Sequence, residues 1–269
     1  MRLGHIIAVL LVLAVGCSDF SDGQVATGSA DASDEVWHPE PGLSWQWQLS
    51  DLPVDTSVEA DMYDIDLFEN TESVVDELHD MGRRVVCYVS VGTWEPGRPD
   101  SGEFPDEVIG KPLDDFPDER WLDIRRLDVL GPIIEARFEQ CAEKGFDAVE
   151  PDNVDGYQND SGFDLSAEDQ LAFNRFVAGT AHERGLAVGL KNDLDQVPDL
   201  VDEFDFAVNE ECVEFDECML LTPFIDADKA VFHVEYELEP DEFCDLTADL
   251  DFSSLKKNVE LDAEVGTCG

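Results

Sequence analysis

The chain is poor in positive charge. Sixteen lysines and arginines face 64 aspartates and glutamates, a net charge of −48 at pH 7 in 269 residues. That balance excludes nucleic acid as a partner, because phosphates would be repelled rather than neutralised, and it keeps the folded domain off anionic membrane surfaces. Histidine is scarce, at five, and no Cys-x-x-Cys pair occurs, so the ligand spacing of a zinc site is missing. No apolar run reaches the roughly 20 residues that a membrane-spanning helix takes. The stretch "DNVDGYQND" (152–160) invites a calcium-loop reading and fails it. Gly156 as the loop's glycine would make Pro151 its first ligand, and no Glu closes the loop. No metal or cofactor is expected.

Apolar residues make up 43% of the chain, enough for a sizeable core. The length suits one large domain or two small ones, and single α/β barrels commonly fill it. The acids are spread along the whole chain. That distribution suits a surface adapted to salt, and steering of a cationic substrate is compatible with it.

The N-terminus reads as a targeting segment. Arg2 precedes the apolar run "IIAVLLVLAV" (6–15), then Gly16 and Cys17. A small residue and a Cys after such a run predict a lipoprotein-type signal over 1–17, with Cys17 lipidated; plain secretion with cleavage nearby is the alternative. Residues 18–36, rich in Ser, Asp, Gly and Ala, read as a flexible tether, leaving a domain over 37–269. Of seven cysteines, removing Cys17 leaves six, an even number suited to an oxidising compartment. Cys212 with Cys218 and Cys244 with Cys268 are the preferred local pairs. Cys87 and Cys141 then remain, as a third pair or as buried thiols.

Eight short apolar or aromatic runs alternate with helical patterns: 44–50, 62–68, 84–91, 147–151, 186–192, 204–210, 230–236 and 258–265. Helices are expected over 71–82, 128–145, 166–185 and 194–204. Thr71 and Ser166 are the expected caps, and Gly82, Gly145 and Gly185 the stops. Strand–helix alternation of this kind favours an α/β fold, a single (β/α)8 barrel of TIM type, over a doubly wound sheet. In such a barrel the active site lies at the C-terminal strand ends. Those ends carry Asp64 and Asp66, then Ser90, Trp94 and Glu95, then Glu150, Asp152 and Asp155, then Lys191, Asn192 and Asp193, then Asn209, Glu210 and Glu211, and finally Glu235 and Tyr236, with Trp45 and Trp47 on the first strand. An acidic cup with aromatic walls suits glycoside hydrolysis, which needs one carboxyl as acid and another as nucleophile or base. The plainer readings stand beside it. At least one of the two tryptophans belongs to the core, Lys191 is as well suited to neutralising its neighbours as to holding substrate, and His233 is structural.

Several stretches together resemble one family. "VVCYVSVGTWEPGRPD", "FPDEVIGKPLDDFPDERWLDIR", "KGFDAVEPDNVDGY", "LAVGLKND", "FAVNEECVEFDEC" and "KAVFHVEY" are similar to glycoside hydrolase family 114, the endo-α-1,4-polygalactosaminidases. The resemblance spans roughly Trp45 to Tyr236. It implies a TIM-type barrel and cleavage of α-1,4-linked galactosamine in secreted polysaccharide. It also implies catalytic roles for Asp152 in "EPDN" and Glu210 in "NEEC". The family commonly has Gln where this chain has Glu211. Asp64, Tyr88, Glu150, Asp155, Lys191, Asn192 and Glu235 are then candidates for holding sugar hydroxyls or amines. A cationic, partly deacetylated galactosamine polymer is the expected partner, met by a monomer. A barrel acting on a different α-galactoside, or a surface lipoprotein that only binds polysaccharide, are the alternatives.

Overall fold

The computed structural model describes residues 36–268. The expected signal segment 1–17, the lipidation site Cys17 and all of the tether except Val36 lie outside the described residues.

Eight strands run parallel in chain order: β1 (Trp45–Gln48), β2 (Met62–Asp66), β3 (Arg84–Ser90), β4 (Ala148–Asp152), β5 (Ala187–Lys191), β6 (Phe206–Glu210), β7 (Val231–Glu235) and β8 (Ser253–Lys256). With helices α1 (Glu72–Asp80), α2 (Leu127–Glu143), α3 (Ala167–His182), α4 (Val197–Leu200), α5 (Thr222–Asp226) and α6 (Pro240–Asp249) they form a (β/α)8 barrel. Closure from β8 to β1 uses side chains and the C-terminal segment. Trp45 Nε1 donates to the Ser253 carbonyl at 2.9 Å, Gln46 Nε2 to that of Ala263 at 3.0 Å, and the Leu49 amide to that of Leu261 at 2.8 Å.

Period-two alternation divides each strand between two cores. Trp45, Trp47, Met62, Val86, Phe206, Phe232 and Val234 fill the barrel interior, and both tryptophans are buried there. Gly189 is the small residue that makes room for the Phe206 ring, since a Cβ at this point would run into it. Val85, Cys87, Val149 and Val188 face the other way, against the helices. Each buried aliphatic or aromatic side chain contributes on the order of 1.5–3 kcal/mol. Helix α3 starts at the expected capping box: Ser166 Oγ accepts from the Asp169 amide, and Asp169 Oδ2 from the Ser166 amide.

Two expectations are corrected, the eighth strand and the helix over 194–204. The eighth strand is Ser253–Lys256, not 258–265; residues 259–261 instead fold over the barrel mouth, where they line a cleft. The β1–β2 connection contains no helix, and 194–204 forms only a 3-10 turn followed by the single turn of α4. The long segment after β3 builds its own antiparallel sheet from Thr93–Trp94, Ile109–Pro112 and Arg120–Leu122, which walls one side of the mouth.

The six described cysteines form three disulfides, Cys87–Cys141, Cys212–Cys218 and Cys244–Cys268. The first ties β3 to α2 across a sequence separation of 54. Loop entropy alone gives such a link about 4 kcal/mol. Cys87→Ala/Cys141→Ala should therefore lower unfolding free energy in urea by about that amount, while loss of the six-residue Cys212–Cys218 link should cost less. Equal losses would show that something other than loop length sets the effect.

Candidate active site

A cleft of about 850 Å³ opens at the C-terminal ends of the strands. Its floor is set by the last inward residue of three neighbouring strands: Asp152 on β4, Lys191 on β5 and Glu210 on β6. Directly after each, the chain enters left-handed backbone, at Asn153 (φ 62°), Asn192 (φ 49°) and Glu211 (φ 60°). Non-glycine residues held there cost roughly 1–3 kcal/mol each. The sharp turns leave those three side chains standing at the rim. Gly92 belongs to the same construction, since any Cβ there would collide with the Asn153 carbonyl.

Lys191 Nζ is shared. It lies 2.9 Å from Asp152 Oδ1, 3.0 Å from Glu210 Oε2 and 3.8 Å from Glu150 Oε1, and 5.1 Å from the centre of the Trp47 ring. Burial opposes its charge, but Asp152, Glu210 and Glu150 together hold the proton on well above the ordinary lysine range. Asp152 Oδ2 accepts from Tyr88 Oη at 2.8 Å and from Asn153 Nδ2 at 3.1 Å, and Oδ1 from the Asn153 amide at 2.8 Å. Burial alone would raise this carboxyl. Lys191's charge and these hydrogen bonds overcome it and hold Asp152 below the usual carboxylate range. Glu210 accepts from Tyr236 Oη at 2.5 Å and Asn192 Nδ2 at 3.0 Å. Burial, then the adjacent carboxylate, pushes both phenols well up, so they remain O–H donors.

Below this layer lie Asp64 and Glu150, both fully buried, with none of their four oxygens receiving an N–H or O–H from outside the pair. They face one another. Burial, then the Asp64 charge, pushes Glu150 well up. Burial raises Asp64 to about 7, against the opposing effects of the Glu150 contact and Lys191. The pair therefore holds a proton between its two carboxyls. Two buried carboxylates in contact cannot both ionise.

The structure brings Tyr88, Asp152, Asp155, Lys191, Asn192 and Glu210 together on the cleft wall. It does not bring Glu235, Asp64 or Glu150 there. Glu235 points outward from the barrel, where Oε1 accepts the Val213 amide at 2.8 Å and contacts His233 Nε2 at 2.9 Å. Sequence reasoning placed Tyr236 at a strand end but preferred Glu235 as the site residue, and did not single out Asn153 or Glu119. Counting alternation from Phe232 and Val234 would have selected Tyr236 over Glu235 as the inward residue.

Asp155 is raised to about 6 by burial and the Asp152 charge. Behind it Asp193 is raised to about 8 by burial and Asp155. Asp193 Oδ2 accepts from Asn174 at 2.8 Å, and Oδ1 has no partner. The unfolded chain releases this proton near 3.8, whereas the fold keeps it until about 8. Stability from this group therefore falls as pH rises through that window. Asp193→Asn keeps the Asn174 bond and suits the left-handed backbone. Its melting temperature should match wild type at pH 4 and exceed it by roughly 4 °C at pH 8. A difference independent of pH would remove Asp193 as the cause.

An acidic, aromatic-walled cleft at the strand ends of a (β/α)8 barrel, with an ionised Asp held near a Glu, defines a barrel of the glycosidase class. The model of Glycoside-hydrolase family GH114 matches residues 26–269, and the chain belongs to that family: it is a glycoside hydrolase. The crystal structure of Aspergillus fumigatus Ega3 in complex with galactosamine is 39% identical, with a TM-score of 0.83 over 87% of this chain and 98% of that one. The glycoside hydrolase domain of PelA from Pseudomonas aeruginosa, 14% identical with a TM-score of 0.65 over 84% of this chain and 98% of that one, shares the fold. No curated protein matches.

Proposed function

We propose that the protein cleaves α-1,4-linked galactosamine-containing polysaccharide outside the cell, with Asp152 as nucleophile and Glu210 as acid and base. The observation that carries the mechanism is the shared lysine. Contacts of 2.9 and 3.0 Å to one nitrogen put the facing oxygens of Asp152 and Glu210 no more than about 6 Å apart, the sum of the two. Carboxyls about 5–5.5 Å apart retain anomeric configuration, whereas inversion takes about 6.5–9.5 Å to admit water. In the first step Glu210 gives its proton to the glycosidic oxygen as the bond from that oxygen to the anomeric carbon breaks, and Asp152 Oδ bonds to the carbon. In the second, water attacks the same carbon, Glu210 takes its proton and Asp152 leaves. Tyr88, Asn153 and Lys191 keep Asp152 ionised; Tyr236 and Asn192 orient Glu210.

The substrate reading is supported by the galactosamine in the Ega3 crystal and by the charge of the cleft. Its walls carry Asp114, Asp115, Asp155, Asp160, Glu211 and Glu237, with Lys191 engaged below. Amine-bearing sugars complement that field, and their capture should weaken as salt rises. The expected signal segment, with or without lipid on Cys17, and the paired cysteines support a location at or beyond the cell envelope.

The test is reducing-end release from partly deacetylated and fully N-acetylated α-1,4-galactosaminan, with NMR of the first product. We expect release from the deacetylated polymer, and the α-anomer formed first. The β-anomer first would overturn retention. Release from other α-galactosides alone would overturn the substrate.

A further inference from the structure

A second pocket of about 460 Å³ lies beside the cleft and shares Leu49, Tyr88 and Glu119 with it. Tyr88 is the residue that donates to Asp152, so a chain bound in the cleft reaches this pocket without leaving the site. Nothing in the reaction above uses it.

Its wall contains one cation, Arg98, which is already engaged. Arg98 Nη2 lies 2.7 Å from Asp66 Oδ2 and 2.6 Å from Glu95 Oε1, and Nε donates to the same Glu95 oxygen at 2.8 Å. Both Arg98 contacts fall on one oxygen of Glu95. The other, Oε2, is buried and receives no hydrogen bond, in a residue only 8% exposed. An orphaned carboxylate oxygen at this depth costs on the order of 1–3 kcal/mol or more and is relieved by an incoming donor. Burial, and then the charges of Glu95 and Asp152, raise Glu119 to about 7, so an added positive charge would be favoured here. Leu49 and Leu52 supply an apolar edge for a ring face. Asp51, Asp66, Glu69, Glu95 and Glu119 outnumber Arg98, which excludes an anionic occupant.

We propose that this pocket is an accessory subsite for a 2-amino-2-deoxy sugar unit of the substrate chain, its ammonium held by Glu95 Oε2 and Glu119. The assignment rests on the galactosamine-polymer reading above.

The test compares kcat/KM on a long deacetylated galactosaminan and on the shortest oligomer cleaved, for wild type, Glu95→Gln and Leu52→Trp. Glu95→Gln keeps an acceptor for Arg98 and removes the charge. Leu52→Trp adds bulk at an exposed rim position, 40% accessible in wild type, where folding is not at stake. Both variants should lose about tenfold more on the long chain than on the short one, for Glu95→Gln the worth of one charge-assisted hydrogen bond. For Glu95→Gln that extra loss should vanish on a fully N-acetylated chain. Equal losses at both lengths, or none, would overturn the subsite while leaving the substrate reading intact. Failure of wild type to cut any galactosaminan would overturn both.

Discussion

Asp152→Asn will lower kcat by on the order of 10⁴-fold while leaving fold and substrate affinity close to wild type. The substitution is nearly isosteric. Asn keeps one oxygen for Lys191 and the Asn153 amide, and the Tyr88 hydroxyl can rotate to accept from the new NH₂ group. What disappears is a full negative charge able to bond to carbon. The companion variant separates the roles. Glu210→Gln removes the proton donor, so it will be nearly inert on polysaccharide but will recover a large part of its first-step rate on a nitrophenyl glycoside, whose leaving group needs no proton. Asp152→Asn will gain nothing from that substrate. Adding azide to Asp152→Gly should restore turnover with a glycosyl azide of inverted configuration. If the responses of Asp152 and Glu210 are exchanged, the assignment is reversed. If neither variant falls more than tenfold, the reaction uses other groups.

How much of this was legible in the sequence depends on what each residue's position is fixed by. Seven strands were readable because runs such as "RVVCYVSV" are nearly continuous in apolar residues, as strands covered on both faces must be. The eighth, Ser253–Lys256, is short and has a single inward aliphatic, Leu255, so it leaves little periodicity. The pairing of faces was readable too: Glu150 with Asp152, and Val208 with Glu210. Depth was not. Glu150 sits one layer below Asp152, level with Tyr88 on β3 and, through it, with Asp66 on β2, a tertiary fact that no run of residues encodes. The crowding of Glu150, Asp152 and Asp155 thus has three different answers. One is buried and shares a proton, one is ionised at the floor, and one lies on the wall. Strand alternation agreed with Asp152 and Glu210 but could not choose them; their motifs did. The sheet after β3 escaped pattern reading because its strands are two to four residues long.

Lys191→Met will be the most destabilising single change at the floor, and its cost will grow with pH. Lys191 is 4% exposed, and its ammonium is the common partner of Asp152, Glu210 and Glu150. Removing one partner from a buried ion pair costs roughly 3–5 kcal/mol, because the remaining charge is left uncompensated. Here the remaining charges also repel one another. In wild type, Asp152 has a folded pKa below its unfolded value. It therefore contributes stability above pH ~4 that is lost only as the solution becomes more acid. Without Lys191 the sign reverses: burial, no longer offset by the lysine's charge, will hold a proton on Asp152 past the pH at which the unfolded chain releases it. The variant should thus approach wild-type stability near pH 4 and fall furthest behind near pH 8. The acid limb of its kcat/KM profile should move upward, since the nucleophile ionises later. Lys191→Arg, which keeps the charge, should recover most of the stability but less of the rate, because a planar fork cannot occupy one point between three carboxylates. A stability deficit that is the same at pH 4 and pH 8, with no movement of the acid limb, would mean that Lys191 fills space over Trp47 rather than setting the charge of the floor.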